Sequence, residues 1–226
     1  METDKKEIQR HRMMTCFIDA AVQIIEEEGI KGVTARKVAD LAGYNVATLY
    51  NYFSNLDHLI LFAALRFMRE YTESLPFYVY EAKNALERFL KIWECFCYYS
   101  FGQTEIYNAI FFTPIDEPLP DIISQYYELF PQDLSNQPEE LLPMLTRTDI
   151  YERDKVILEA CAREGFIRYE DIDEINEIIL LIYQGMLSGL ISKRFNYTQE
   201  EAVEKTMFFI KKCLHFYLID REKVRL

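Results

Sequence analysis

The side chains able to do covalent or metal chemistry are scattered along this sequence. His11, His58 and His215 lie far apart and fall on three different predicted helices, so they do not converge as acid, base or ligand. Cys95 and Cys97 are two residues apart, which on a helix turns their side chains about 200° from each other and prevents shared chelation. The acidic groups Glu26-Glu27-Glu28, Asp171-Asp173-Glu174 and Glu200-Glu201 sit at helix ends or on solvated faces, where a helix N-terminus favours carboxylates. No glycine-rich phosphate loop is present. The pattern points away from an enzyme and implies no cofactor and no metal.

One segment has the spacing for non-covalent recognition. Residues 34–53 read Thr-Ala-Arg-Lys-Val-Ala-Asp-Leu-Ala-Gly-Tyr-Asn-Val-Ala-Thr-Leu-Tyr-Asn-Tyr-Phe. Thr34 is a good N-cap for a helix through Ala42, with Val38, Ala39 and Leu41 available to face inward. Gly43 permits a sharp turn. Asn45 can cap a second short helix, Val46 to about Tyr52, anchored inward by Leu49 and Phe53. Ala39 and Ala42 are small enough for the two helices to cross closely. This is the pattern of a helix-turn-helix, in which one short helix braces another in the major groove, where base edges are distinguishable.

The same segment resembles the signature of the tetracycline-repressor (TetR) family, with Ala-Gly in the turn and Thr-Leu-Tyr-x-Tyr-Phe at its end. The likeness extends upstream through Ala20-Ala21 and Glu28-Gly29 and downstream to Leu59. It implies a transcription regulator that binds double-stranded DNA, a palindromic operator, as a homodimer, with repression as the family default. By this resemblance Thr34 caps its helix and touches a phosphate, and Arg36 reaches a base edge, guanine being the usual partner of arginine. Val46, Ala47 and Thr48 occupy the start of the reading helix, against thymine methyls. Tyr50 and Tyr52 resemble the family's phosphate-contacting aromatics, and Asn51 between them is placed to pair with adenine. Two departures stand out: family members often carry a basic residue near Val46 and a phosphate-binding lysine where this chain has Leu56. With fewer cations, non-specific affinity and its salt dependence should be modest. The alternative reading is a helical ligand sensor or protein-interaction module whose DNA head has weakened.

The elements around this motif read as all-α. Half of the residues are hydrophobic, with only seven glycines and seven prolines in 226 residues. Helices are expected from about Glu7 to Glu28, from near Asn55 towards Tyr71, and from about Tyr78 to Phe101, with Pro76 as a boundary. Shorter elements separated by Pro114, Pro118 and Pro120 follow, then a loop or short helix from Pro131 to Pro143. The last three helices run from about Thr148 to Glu164, Asp171 to Arg194 and Thr198 to Asp220, the last opened by a capping box. Residues 1–70 thus form a three-helix DNA-binding head and residues 71–226 a larger helical domain for effector binding and dimerisation. The acidity belongs mainly to the latter: residues 67–226 hold 17 basic and 28 acidic side chains, net −11, against 8 and 9, net −1, in residues 1–66. No targeting signal or membrane-spanning run stands out, and five cysteines without framework spacing read as reduced thiols, so a cytoplasmic protein without membrane association is expected.

In the larger domain Trp93, Phe96, Tyr99, Tyr107, Phe111, Tyr126 and Tyr127 are the aromatic candidates for an effector pocket, and a mostly apolar effector is expected. The helix after Asp171 and the last helix are apolar over so wide a surface that they need partners on two sides. Pairing them with their mates gives a four-helix homodimer interface, for which Ile179, Ile182, Gly185, Met186, Gly189, Phe209 and Phe216 are the candidates.

Overall fold

The computed structural model describes residues 2–112, 122–147 and 149–221, with side chains from Lys5 onward. The expected breaks at Pro114, Pro118 and Pro120 and the helix start at Thr148 lie outside the described residues. Among the described residues every regular element is helical. The α-helices are α1 (Glu2–Glu28), α2 (Ala35–Ala42), α3 (Val46–Leu49), α4 (Leu56–Phe67), α5 (Arg69–Val79) and α6 (Ala85–Gly102). They continue as α7 (Thr104–Phe111), α8 (Ile122–Leu129), α9 (Leu142–Leu145), α10 (Ile150–Arg163), α11 (Ile172–Ile191) and α12 (Gln199–Tyr217), with short 3₁₀ turns between.

The chain forms two compact units. The first takes Met1–Arg69 with Glu105–Gln132, the second Glu70–Thr104 with Asp133–Leu226. The chain passes from the first unit to the second at Arg69–Glu70, and α8 and nearly all of α7 return to the first. There Lys31 pairs with Glu105 at 2.6 Å, and the Arg66 guanidinium lies 4.4 Å from the Phe130 ring centre. In the first unit α1 packs across α2 and α4, burying Phe17, Ile18, Ala21, Leu59 and Phe62. α1 starts at Glu2 rather than Glu7, since neither glycine nor proline interrupts residues 2–6.

Pro76 is not a boundary. It lies inside α5, where its ring nitrogen cannot donate to the carbonyl four residues back, Thr72 O. The Gln137 side-chain amide, 65 residues away, donates to that carbonyl at 2.7 Å, which lets the helix pass through the proline. The break comes at residues 80–84 instead, where Asn84 Oδ1 accepts from the Glu87 N–H at 2.8 Å and starts α6 at Ala85.

In the second unit α6 packs against α10, α11 and α12. Its inward stripe meets Tyr183 of α11, whose ring centre lies 5.1 Å from Phe96, 5.6 Å from Trp93 and 5.7 Å from Phe101. The capping box opens α12 as expected: Thr198 Oγ1 accepts from the Glu201 N–H, and the Glu201 carboxylate accepts from the Thr198 N–H. Residues 169–191 are long and apolar enough to cross a membrane by length and composition, yet α11 packs one face against α6, α10 and α12 as a core helix does.

Candidate nucleic-acid interface

The motif is held by hydrogen bonds that close within a few residues. Thr34 sits in extended backbone, and its hydroxyl oxygen accepts from the Lys37 N–H at 3.3 Å, capping α2. Gly43 ends α2 at φ 77°, the left-handed region that side chains with a Cβ resist. Asn45 Oδ1 accepts from both the Thr48 N–H at 2.8 Å and the Thr48 hydroxyl at 3.0 Å, capping α3. α3 is a single turn. Beyond Leu49 the Tyr52 N–H bonds to Leu49 O at 3.0 Å, an i−3 link, so the segment expected as helix to Tyr52 finishes as a tightened turn.

The floor beneath α3 is aromatic. Leu49 and Phe53 are buried, and the Phe17 ring of α1 lies 5.5 Å from Tyr44, 6.1 Å from Tyr52 and 6.4 Å from Phe53. Val38 and Ala39 bury α2 against the same floor. Leu41, expected to turn inward, is exposed, because it points about 160° away from Ala39 around the helix. Of the residues expected at DNA, Thr34, Arg36, Ala47, Tyr50 and Asn51 are exposed, while Val46, Thr48 and Tyr52 are half-buried. The Thr48 hydroxyl is held in the α3 cap. Tyr44, absent from that set, is a further exposed aromatic residue just before α3, 42% exposed. Its place directly after the turn glycine was the available signal.

The cations in and beside the motif are paired, two of them with carboxylates from outside it. Lys31 pairs with Glu105, Lys37 with Glu28, and Arg36 Nε lies 3.8 Å from Asp40 Oδ2 one turn on. Exposed pairs of this kind contribute little stability, but each lowers the free positive charge available to a phosphate. Below the motif His58 is a packed residue. Its Nδ1 accepts from the Ser54 N–H at 3.2 Å, and its ring lies 5.6 Å from Phe53 and 5.1 Å from Phe62. Burial, with the Arg10 charge, lowers its pKa, so the head holds the neutral imidazole.

Residues 17–63 match the model of the family described as bacterial regulatory proteins, tetR family. Over this segment the chain is similar to the tetR family. The likeness of fold runs further. A putative TetR-family transcriptional regulator from Mesorhizobium loti MAFF303099 aligns at TM-score 0.55 and 13% identity, over 93% of this chain and 98% of that one. A protein of unknown function from Rhodococcus sp. RHA1 aligns at 0.55 and 17%, over 90% and 94%. The fatty acid degradation regulator FadR from Bacillus halodurans aligns at 0.52 and 16%, over 87% and 93%. At such identities the likeness establishes the fold. Among curated proteins none matches the sequence.

The aromatic residues expected to form an effector pocket are divided between the two units. Tyr107, Phe111, Tyr126 and Tyr127 belong to the first unit, with Tyr107 and Tyr126 buried. Tyr99 shares a 2.6 Å hydrogen bond with Ser74. Trp93 and Phe96 do come together, lining a cavity of about 20 Å³ with Tyr71, Ile92, Arg153 and Asp154. Sequence reasoning missed Asp154, because an aspartate inside an acidic, solvated-looking helix pattern gives no sign that it faces Trp93 across the core.

The dimer candidates likewise divide. Ile179, Met186 and Gly189 are buried within their own chain, and a Cβ on Gly189 would stand 2.2 Å from the Phe195 ring. Gly185 is open, Ile182 is half-buried, and Phe209 and Phe216 are exposed at 50% and 67%. Leu181 and Phe208 add further exposed apolar surface on the same two helices.

Proposed function

We propose that this tetR-family regulator is a cytoplasmic homodimeric repressor of transcription, released from a palindromic operator by a small, mostly apolar effector. The observation that carries the reading is the exposed set Thr34, Arg36, Ala47, Tyr50 and Asn51, raised on the capped α2–α3 pair above a fully buried Phe17, Leu49 and Phe53 floor. In this reading Arg36 and Asn51 contact base edges, Thr34, Tyr50 and Tyr52 contact phosphates, and Val46, Ala47 and Thr48 line the groove. Residues 1–70 carry DNA binding and residues 71–226 carry effector binding and dimerisation, the latter through the exposed apolar faces of α11 and α12. The protein works by binding, without catalysis.

The balanced charge of the motif favours a second reading, a ligand sensor or interaction module whose hold on DNA has weakened. Selection from random DNA with the full chain, followed by anisotropy on the recovered sites, separates the two. A palindromic site, with Arg36→Ala and Tyr50→Phe each weakening binding while the dimer mass by light scattering is unchanged, supports the regulator. Recovery of no site, or a monomer at micromolar concentration, refutes it.

A further inference from the structure

We propose that the cavity beside Asp154 in the second unit binds a small apolar amine, its ammonium head pairing with Asp154 Oδ2 and its body lying against Tyr71, Trp93 and Phe96. Asp154 is 3% exposed. Its Oδ1 accepts from the Trp93 indole N–H at 2.7 Å, whereas its buried Oδ2 meets no donor in the structure. Buried polar atoms are nearly always satisfied, and a carboxylate oxygen facing an apolar cavity asks for a donor brought by a ligand or water. The lining is otherwise Tyr71, Ile92, Trp93, Phe96, Met144, Ile150, Arg153 and Ile157, which suits an apolar body.

A cation fits the unmet group better than an anion or a neutral acceptor. Trp93, Phe96 and Tyr71 line the cavity, and an aromatic ring attracts an ammonium ion. The cation of the lining, Arg153, is tied to backbone at one nitrogen: its Nη1 donates to Leu145 O at 3.2 Å and Arg147 O at 3.3 Å. The chain's net charge of −12 also draws cations towards it. About 20 Å³ is room for one water molecule, so an ammonium head is admitted directly and the body must part the side chains of α6 and α10. Burial raises the Asp154 pKa to about 8, so before the amine binds the cavity holds mostly the protonated acid near neutral pH. The amine enters by taking up that proton to form the ammonium–carboxylate pair.

The inference names the chemical class of the effector in the reading above and rests on that reading only for its regulatory consequence. Trp93 is the single tryptophan, so its fluorescence reports this cavity directly. The full chain is titrated with benzylamine, benzyl alcohol and benzoate, which share a body and differ in the head. Benzylamine should bind at least tenfold more tightly than either of the others. Asp154→Asn, which keeps an oxygen for Trp93, should bring benzylamine down to the level of the alcohol. Alcohol or benzoate binding as well as the amine, no binding by any of the three, or a preference that survives in Asp154→Asn overturns the proposal. Should the variant misfold by circular dichroism, the three-ligand comparison on the unaltered chain still decides. Operator affinity with saturating benzylamine is read separately. Its loss supports the effector role, and its persistence while benzylamine binds leaves the ligand class standing and sinks the regulatory reading.

Discussion

Gln137→Leu tests how α5 tolerates its proline. Thr72 is 2% exposed, and the Gln137 amide donates to its carbonyl at 2.7 Å in place of the N–H that Pro76 lacks. Leucine removes the donor and fills most of the vacated volume, which keeps water from substituting. Loss of a buried hydrogen bond with one partner left behind costs about 1–3 kcal/mol. In a chain of this size that corresponds to a fall of roughly 2–4 °C in Tm per kcal/mol. A double-mutant cycle isolates the cause. Pro76→Ala restores an N–H four residues from Thr72, so in that background Gln137→Leu should cost about 1 kcal/mol less or better. The effect of proline on the unfolded chain appears in both backgrounds and cancels. Because the two units need not unfold together, urea denaturation is followed by Trp93 fluorescence, which reports the second unit that holds Thr72, Pro76 and Gln137. Equal costs of Gln137→Leu with and without Pro76 would refute the account.

Gly43→Ala should destabilise the first unit by about 1 kcal/mol and Gly43→Asn by less: no atom lies within 4 Å of the added Cβ, so the cost is the left-handed conformation alone, which asparagine tolerates. A cost of 3 kcal/mol or more for alanine, by denaturation followed at the amides of α2 and α3, would contradict this. His58, with its folded pKa below 6.5, stays neutral while the unfolded chain takes up a proton, so the first unit loses stability as pH falls from about 6.5 through the folded value and levels off below it. An NMR titration of the His58 ring at or above 6.5 excludes that contribution. Glu28→Gln releases Lys37 from its pair and should steepen the dependence of operator affinity on log salt by up to about 1 per head; an unchanged slope means that Lys37 is remote from the phosphates.

The division between what the sequence made legible and what it did not follows the span of the contact involved. Thr34, Gly43, Asn45 and Thr198 act on backbone groups within a few residues, and each was assigned its structural role from residue type and neighbours alone. The all-α class needed only composition, the low counts of glycine and proline above all. Pro76 misled because the donor that rescues its helix is Gln137, and no local pattern announces a partner 65 residues away. Asp154 and Trp93 are 61 residues apart, and Glu105 joins Lys31 across 74. Gly189 reads as a helix-packing glycine, yet the group filling its space is Phe195, just beyond the end of its own helix. The candidate DNA surface was therefore readable, being local, while its electrostatic state was only half readable. Residues 29–55 hold Lys31, Arg36 and Lys37 against Asp40 alone, yet Glu28 and Glu105, from outside that stretch, pair with two of the three cations. On the proposed reading, a head so balanced gains little from a general attraction to phosphate, so discrimination between sites falls to the few exposed side chains on α2 and α3 and to the geometry with which a dimer presents two copies of them.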